Sequence, residues 1–372
     1  MRVSSLALGL SSLVHSHSVA ALVPHPDSDF DLVVTEPPSY VRPYVIPDLS
    51  GPAVVLINDV IRAPINNESS GGAFSLLQLN AQPYIRSGYG DLYQCPPHYH
   101  SRFHETFFCY KGGVTLWANG EARMLTAHDF GSMPTYQNHS YSFTEPDSTL
   151  LAFIYPGGFE KFYFNISDPF VDPTSAPFPP DIAHHFLEQT FEAAVGSHYD
   201  VFPVFNDQFS YNFTNGTTNR TLAWHNGNDR APANAQEPYY LANNWSPKYL
   251  HRPTGQVIQP RVTAAQSAGN FSLSTIVMRR KLANETVAEH VFDVPQFFQV
   301  LEGVLHIRMR CQSVAMSTGD VAFIPGGTPF QYWSEVAFTK VYFGAGGSRG
   351  LSETLVEQAE PWRFAVFPSY IG

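Results

Sequence analysis

The sequence predicts an all-β protein: two antiparallel β-barrels in tandem, joined by a linker with a short helix. Length is the first indication, since 372 residues are too many for one ordinary domain and suit two. Composition is the second. The chain has 30 Pro and 26 Gly, which punctuate short alternating apolar runs such as Ala73-Phe74-Ser75-Leu76-Leu77-Gln78-Leu79 and Val114-Thr115-Leu116-Trp117. The third is an internal repeat. Phe271-Ser272-Leu273-Ser274 echoes Phe74-Ser75-Leu76-Leu77, and Pro247-Lys248-Tyr249-Leu250 echoes Arg42-Pro43-Tyr44-Val45. Gly319 through Gly327 restates, in fuller form, the turn-rich stretch that leads from Asp129 to His139.

Taken in order, residues 1–21 read as a secretory signal peptide. They have a basic start at Arg2, a short apolar middle from Leu6 to Leu10, and small residues from Ser18 to Ala21. That middle is too short to span a bilayer and no other stretch is long enough, so the chain is expected to be secreted, extracellular and free of membrane. Residues 22–169 make the first barrel. Pro169, Pro173, Pro177, Pro179 and Pro180 lead into a surface linker over residues 170–225, where Asp181 caps a helix from Ile182 to Ala194 that Gly196 ends. The second barrel takes residues 226–372.

The chemistry concentrates in Pro97-His98-Tyr99-His100-Ser101-Arg102-Phe103-His104-Glu105. Side chains alternate along a strand, so His98 and His100 face the same way, and the polar Ser101–His104 stretch turns the chain to return Glu105 beside them. A second strand pair brings His139. Three imidazoles and one carboxylate suit a single divalent metal with coordination positions left open. The pattern resembles the metal motifs of the cupin superfamily, small antiparallel jelly-roll barrels. The first motif runs through His98, His100, Glu105 and Gly112, and the second from Pro134 to His139, with Tyr136 where the family has glycine. Aligned on Gly303, the second half offers His290, Phe292 and Gln296 in place of His98, His100 and Glu105, and Phe330 at the last ligand position. That barrel is expected to be a metal-free scaffold whose aromatics fill the former metal cavity.

A one-metal bicupin of this kind resembles the fungal quercetin 2,3-dioxygenases. Val41-Arg42-Pro43-Tyr44-Val45-Ile46, Tyr155-Pro156-Gly157-Gly158-Phe159-Glu160, Asn244 through Leu250 and Gly319 through Gly327 carry the resemblance. It implies cleavage of the heterocyclic ring of flavonols by O2, to a depside and carbon monoxide. It also implies copper as the metal, although three His and one Glu can equally hold Mn, Fe, Co or Ni. Glu105 would be both ligand and general base, and Ser75, Phe107, Tyr141, Phe159 and Tyr163 would line the pocket. The family has Phe where Tyr141 and Tyr163 stand. The alternatives are an oxalate oxidase or decarboxylase, and a non-enzymatic ligand-binding bicupin. Two-domain decarboxylases carry ligands in both barrels, and non-enzymatic bicupins lose them in both.

A net charge of -11 excludes nucleic acid as a natural partner; a flavonol and O2 are the expected ones, and a homodimer is admitted. Export also allows glycosylation at the sequons Asn67, Asn165, Asn212, Asn215, Asn219, Asn244, Asn270 and Asn284, and a disulfide between Cys95 and Cys109 that flanks the ligand hairpin. The third cysteine is Cys311.

Overall fold

The computed structural model describes residues 31–56, 59–83, 95–118, 120–171, 198–204 and 224–368. The expected signal segment, the helix from Ile182 to Ala194 and the sequons Asn212, Asn215 and Asn219 lie outside these residues. All pairings between named strands are antiparallel, and Leu32–Gly372 forms one compact unit.

One eight-stranded sheet runs, in spatial order, through Asp168–Phe170, Ala53–Leu56, Asp59–Ile65, Ser75–Ala81, Ser148–Tyr155, His104–Lys111, Phe130–Met133 and Tyr239–Leu241. A five-stranded sheet closes the first barrel over it: Phe202–Pro203, Cys95–Tyr99, His139–Phe143, Gly113–Ala118 and Glu121–Thr126. The second half repeats the plan, with Gln296–Glu302, Val321–Ile324, Thr339–Ala345, Ser272–Met278 and Gln256–Val262 in its large sheet. Leu305–Met309, Gln312–Met316 and Phe330–Trp333 make its small one.

Period-two alternation sorts the side chains of each large sheet. Glu105, Phe107 and Cys109 face the first barrel's interior, whereas Phe108 faces the second barrel. The backs of the two large sheets press together through aromatic rings. Phe108 stacks on Tyr342 at 4.5 Å and Phe74 lies 5.6 Å from Phe297. Gly112 and Gly303 occupy matching turns at φ 73 and 80, with the Ser148 side chain and the Phe338 carbonyl where a Cβ would stand.

Each barrel lends the other a strand. Tyr44–Ile46 pairs with Val321–Ile324 of the second barrel, and Tyr239–Leu241 pairs with Phe130–Met133 of the first. The sheets therefore cut across the boundary expected at residue 226. The Tyr44 hydroxyl donates to the Pro64 carbonyl and the Tyr239 hydroxyl to the Arg261 carbonyl, both at 2.8 Å. The counterpart of Pro43-Tyr44-Val45-Ile46 is thus Pro238-Tyr239-Tyr240-Leu241, and the echo read at Pro247–Leu250 is corrected. Pro247-Lys248-Tyr249 has its tyrosine one place late, and a one-residue slip turns it to the opposite face. Lys248–His251 instead flanks Gln256–Val262, as Ala53–Leu56 flanks Asp59–Ile65.

The expected linker is not confined to the surface. Phe202–Pro203 is an edge strand of the metal barrel, with Phe202 opposite Tyr99 and Pro203 opposite His98. Proline suits that place, because an edge strand tolerates a missing N–H. The cysteine pair is corrected as well: Cys95 and Cys109 are free. Cys95 lies in the small sheet opposite Tyr141 and Cys109 in the large sheet opposite Leu150, so they belong to different sheets.

Candidate metal centre

Three strands and one turn assemble the centre. His98 lies opposite His139 in the small sheet, His100 stands just past the end of Cys95–Tyr99, and Glu105 is the second residue of the facing strand. The second motif's turn puts Tyr136 at φ 64, the left-handed region, which explains why glycine is the usual residue there. The Tyr136 amide donates to the His100 carbonyl at 2.6 Å, so the two ligand segments are tied to each other.

All four ligand atoms of His98, His100, Glu105 and His139 lie within 4.8 Å of one another, and all four residues are buried. His139 Nε2 is 3.1 Å and His100 Nε2 3.3 Å from Glu105 Oε2, and the Nε2 atoms of His98 and His100 are 3.2 Å apart. The outer nitrogens fix the tautomers. Nδ1 of His98 faces the Pro96 carbonyl at 2.8 Å, that of His100 the Asp200 carbonyl at 2.6 Å, and that of His139 the Gln137 carbonyl at 2.9 Å. A carbonyl only accepts, so this network assigns each proton to Nδ1 and leaves three Nε2 lone pairs converging beside a carboxylate. Burial, and then the neighbouring His139 and His100 rings, hold His98 well below the usual imidazole range, so it is a neutral ligand. Burial alone would raise Glu105, but the His100 and His139 imidazoles beside it outweigh that and hold the carboxyl below its usual range. Converging lone pairs with ionised carboxylate fit one divalent cation, held by all four residues.

Asp200 is the residue that sequence reasoning missed. Its carbonyl orients His100, while its buried carboxylate accepts from the Ser101 amide at 3.1 Å, the Ser101 hydroxyl and the Arg102 amide at 2.7 Å. The signal available was an aspartate in an otherwise apolar run, Tyr199-Asp200-Val201-Phe202.

Aromatic rings enclose the set. Phe159 meets His100 edge-on at 4.6 Å, and Phe107 lies 5.7 Å from His139 and 5.9 Å from Tyr141. Tyr163 packs on Phe159 at 5.4 Å, and Phe103, also unforeseen, at 5.3 Å. Tyr141 donates to the buried Asp59 carboxylate at 3.2 Å, and Tyr163 is hydrogen-bonded to Tyr141. Burial pushes both phenols well above their usual range, so both remain donors. Ser75 is more distant in role. Its hydroxyl donates to Glu160 at 2.5 Å and accepts from the Gly158 amide, which braces the turn that carries Phe159.

In the second barrel the main chains of His290 and Phe330 exchange two hydrogen bonds, as His98 and His139 face each other in the first. Phe292 and Phe330 lie 6.2 and 5.6 Å from the His290 ring. Among the described residues the N-terminal set is the one group of His, Cys, Asp and Glu arranged for a metal.

The chain is 34% identical over 353 residues to quercetin 2,3-dioxygenase of Aspergillus japonicus, covering 91% of this chain and 98% of that protein. The chain belongs to the quercetin 2,3-dioxygenase family. A second member, quercetin 2,3-dioxygenase of Bacillus subtilis (strain 168), is 27% identical over 37% of this chain and 38% of its own length. No family model matches the chain. Solved structures with a similar chain path include Lactobacillus farciminis oxalate decarboxylase in complex with formate, at 11% identity over 80% of this chain and 84% of that chain, with a TM-score of 0.48. Procruciferin, the 11S globulin of Brassica napus, has 9% identity over 84% of this chain and 85% of that chain, with a TM-score of 0.49. As a member of the family the chain is a metal-dependent dioxygenase of the bicupin type, acting on a small molecule and O2.

Proposed function

We propose that this enzyme opens the oxygen heterocycle of flavonols such as quercetin, using copper held by His98, His100, Glu105 and His139. The carbon bearing the 3-hydroxyl leaves as carbon monoxide, and both atoms of O2 stay in the depside. One observation carries the reading: a buried His3Glu set walled by Phe107, Phe159 and Phe103, with the linked hydroxyls of Tyr141 and Tyr163 beside that wall. A flat polyhydroxylated ring system fits such a wall.

The 3-hydroxyl must lose its proton before it can bind a cation strongly. Glu105 is the base within the site, ionised and fixed by His100 and His139, with Oε2 as the atom that takes the proton. A bound divalent metal would supply Lewis acidity to the resulting oxygen. Phe107 and Phe159 hold the rings flat and exclude water. Tyr141, Tyr163 and Asp59 offer donors and an acceptor to ring hydroxyls. An oxalate-type reaction is disfavoured by the same wall, since a dianion would meet the Asp59 carboxylate in place of a cation.

Secretion and glycosylation complete the reading. Asn165, Asn244, Asn270 and Asn284 are exposed and open to a transferase, whereas Asn67 is half-buried with its amide bonded to Glu160. The deciding experiment is gas analysis of purified, copper-loaded protein mixed aerobically with quercetin. Carbon monoxide equimolar with the quercetin consumed is expected. Ring oxidation without the gas, or no consumption, refutes the proposal.

A further inference from the structure

The second barrel is not filled. A cavity of about 340 Å³ opens at its mouth, lined by His251, Gln256, Met278, His290, Tyr332 and Leu355 among others. The expectation that aromatics occupy the whole of this space is corrected. Phe292 and Phe330 close the side corresponding to the metal, and the side corresponding to the first barrel's polar wall stays open. The correspondence holds residue by residue. Tyr332 donates to Gln256 Oε1 at 2.8 Å, as Tyr141 donates to Asp59 Oδ2, and Gln256 and Asp59 begin equivalent strands.

Asp59 and three of the four ligands of the first site have uncharged successors that are poor metal ligands. Asp59 is matched by Gln256, Glu105 by Gln296, and His100 and His139 by Phe292 and Phe330. Two cations and two carboxylates line the rim: Arg279, its side chain 10% exposed, is ion-paired with Glu285 at 2.8 Å, and Lys281 is offset by Glu289. Burial, with His251 next to it, lowers His290, which leaves a neutral ring able to accept a hydroxyl proton. Met278 and Leu355 supply apolar walls, and His251 Nδ1 is engaged by Thr254 at 2.7 Å.

We propose that this cavity is a second, metal-free binding site for an uncharged phenol, with the ring against Met278 and Leu355 and its hydroxyls on His290, Tyr332 and Gln256. The volume lies in the range of small-molecule pockets, and an apolar wall with few convergent polar groups is what such a ligand requires. An anion would meet the carboxylates of Glu285 and Glu289 beside Arg279 and Lys281, with the guanidinium already paired to Glu285. A divalent cation would find too few ligands. The inference does not depend on the flavonol reading of the first barrel.

The test is calorimetric titration of the full-length protein, stripped of metal, with phloroglucinol. Saturable binding of one equivalent is expected, weakened several-fold by Tyr332→Phe and at least tenfold by Val287→Trp, which narrows the cavity. The unaltered thermal midpoint of each variant serves as the folding control. The Glu105→Gln variant should bind like the parent, because its change is in the other barrel. Binding that Val287→Trp and Tyr332→Phe leave unchanged would overturn the proposal, as would the absence of saturable binding. Loss of binding in Glu105→Gln alone would place the phenol in the first barrel and overturn it too. Failure of carbon monoxide release from quercetin is read separately and bears on the first barrel alone.

Discussion

Replacing Asp200 with Asn should weaken metal binding although neither side chain is a ligand. Asparagine keeps the size of the side chain and tolerates the left-handed backbone at this position, φ 62. It has one acceptor oxygen where the carboxylate has two. With that oxygen left on the Ser101 amide and hydroxyl, the amide nitrogen opposes the Arg102 N–H, and the 2.7 Å contact is lost. A hydrogen bond to a charged acceptor contributes roughly 1.5–3 kcal/mol. The Arg102–Asp200 ion pair adds little, because at 3.8 Å its guanidinium arm is 62% exposed. If the loss is felt wholly at the His100 turn, metal affinity falls about tenfold to a hundredfold, which is also the range for removing groups that support a ligand. Competition with a chelator of known affinity measures it. An unchanged dissociation constant beside a lowered melting temperature would refute the argument and make Asp200 a support of the fold alone.

Glu105→Gln should retain much of its metal yet turn quercetin over at least about a hundredfold more slowly, whereas His139→Ala should be metal-poor; near-parental turnover by the Gln variant would remove Glu105 as the base. Elemental analysis of fully loaded protein should find one metal per chain, and two would show that the second barrel was misread. Acidification should act through His128, which burial and then the Lys340 and Arg261 cations lower to about 3. Unfolded, this histidine titrates near pH 6.5, so its contribution is whole above that pH and lost as the pH falls toward 3. Between pH 7 and 5 that amounts to about 2 kcal/mol of unfolding free energy, measurable in urea. His128→Asn, which suits the left-handed φ of 72 and can still accept from Lys340, should show a correspondingly smaller drop.

The metal set was legible in the sequence because its spacing is local. His98, His100 and Glu105 are joined by one strand, one turn and one strand, and alternation alone decides which side chains face inward. Phe107 follows Glu105 by one period and was legible for the same reason. What escaped depended on contacts between distant parts of the chain. Asp200 reaches the site across 100 residues from His100, and Asp59 meets Tyr141 across 82. The two cysteines are close in sequence and flank the hairpin, yet two sheets separate them, a fact that no spacing reveals. The strand exchange escaped for a different reason. A Pro-Tyr pair on a buried strand reads the same whichever barrel receives it.

That exchange sets an order on the protein's making. A ribosome releases residues 44–46 early, but their strand partner at 321–324 emerges only near the end of synthesis. The metal barrel likewise waits for the Asp200 clamp and for the strand at 239–241. The metal barrel cannot close before residue 241 is made, the second barrel closes on a strand made long before it, and long-range pairing of this kind is slow to form. Metal capture therefore follows the making of residue 241, with no shorter intermediate holding an ordered four-residue site.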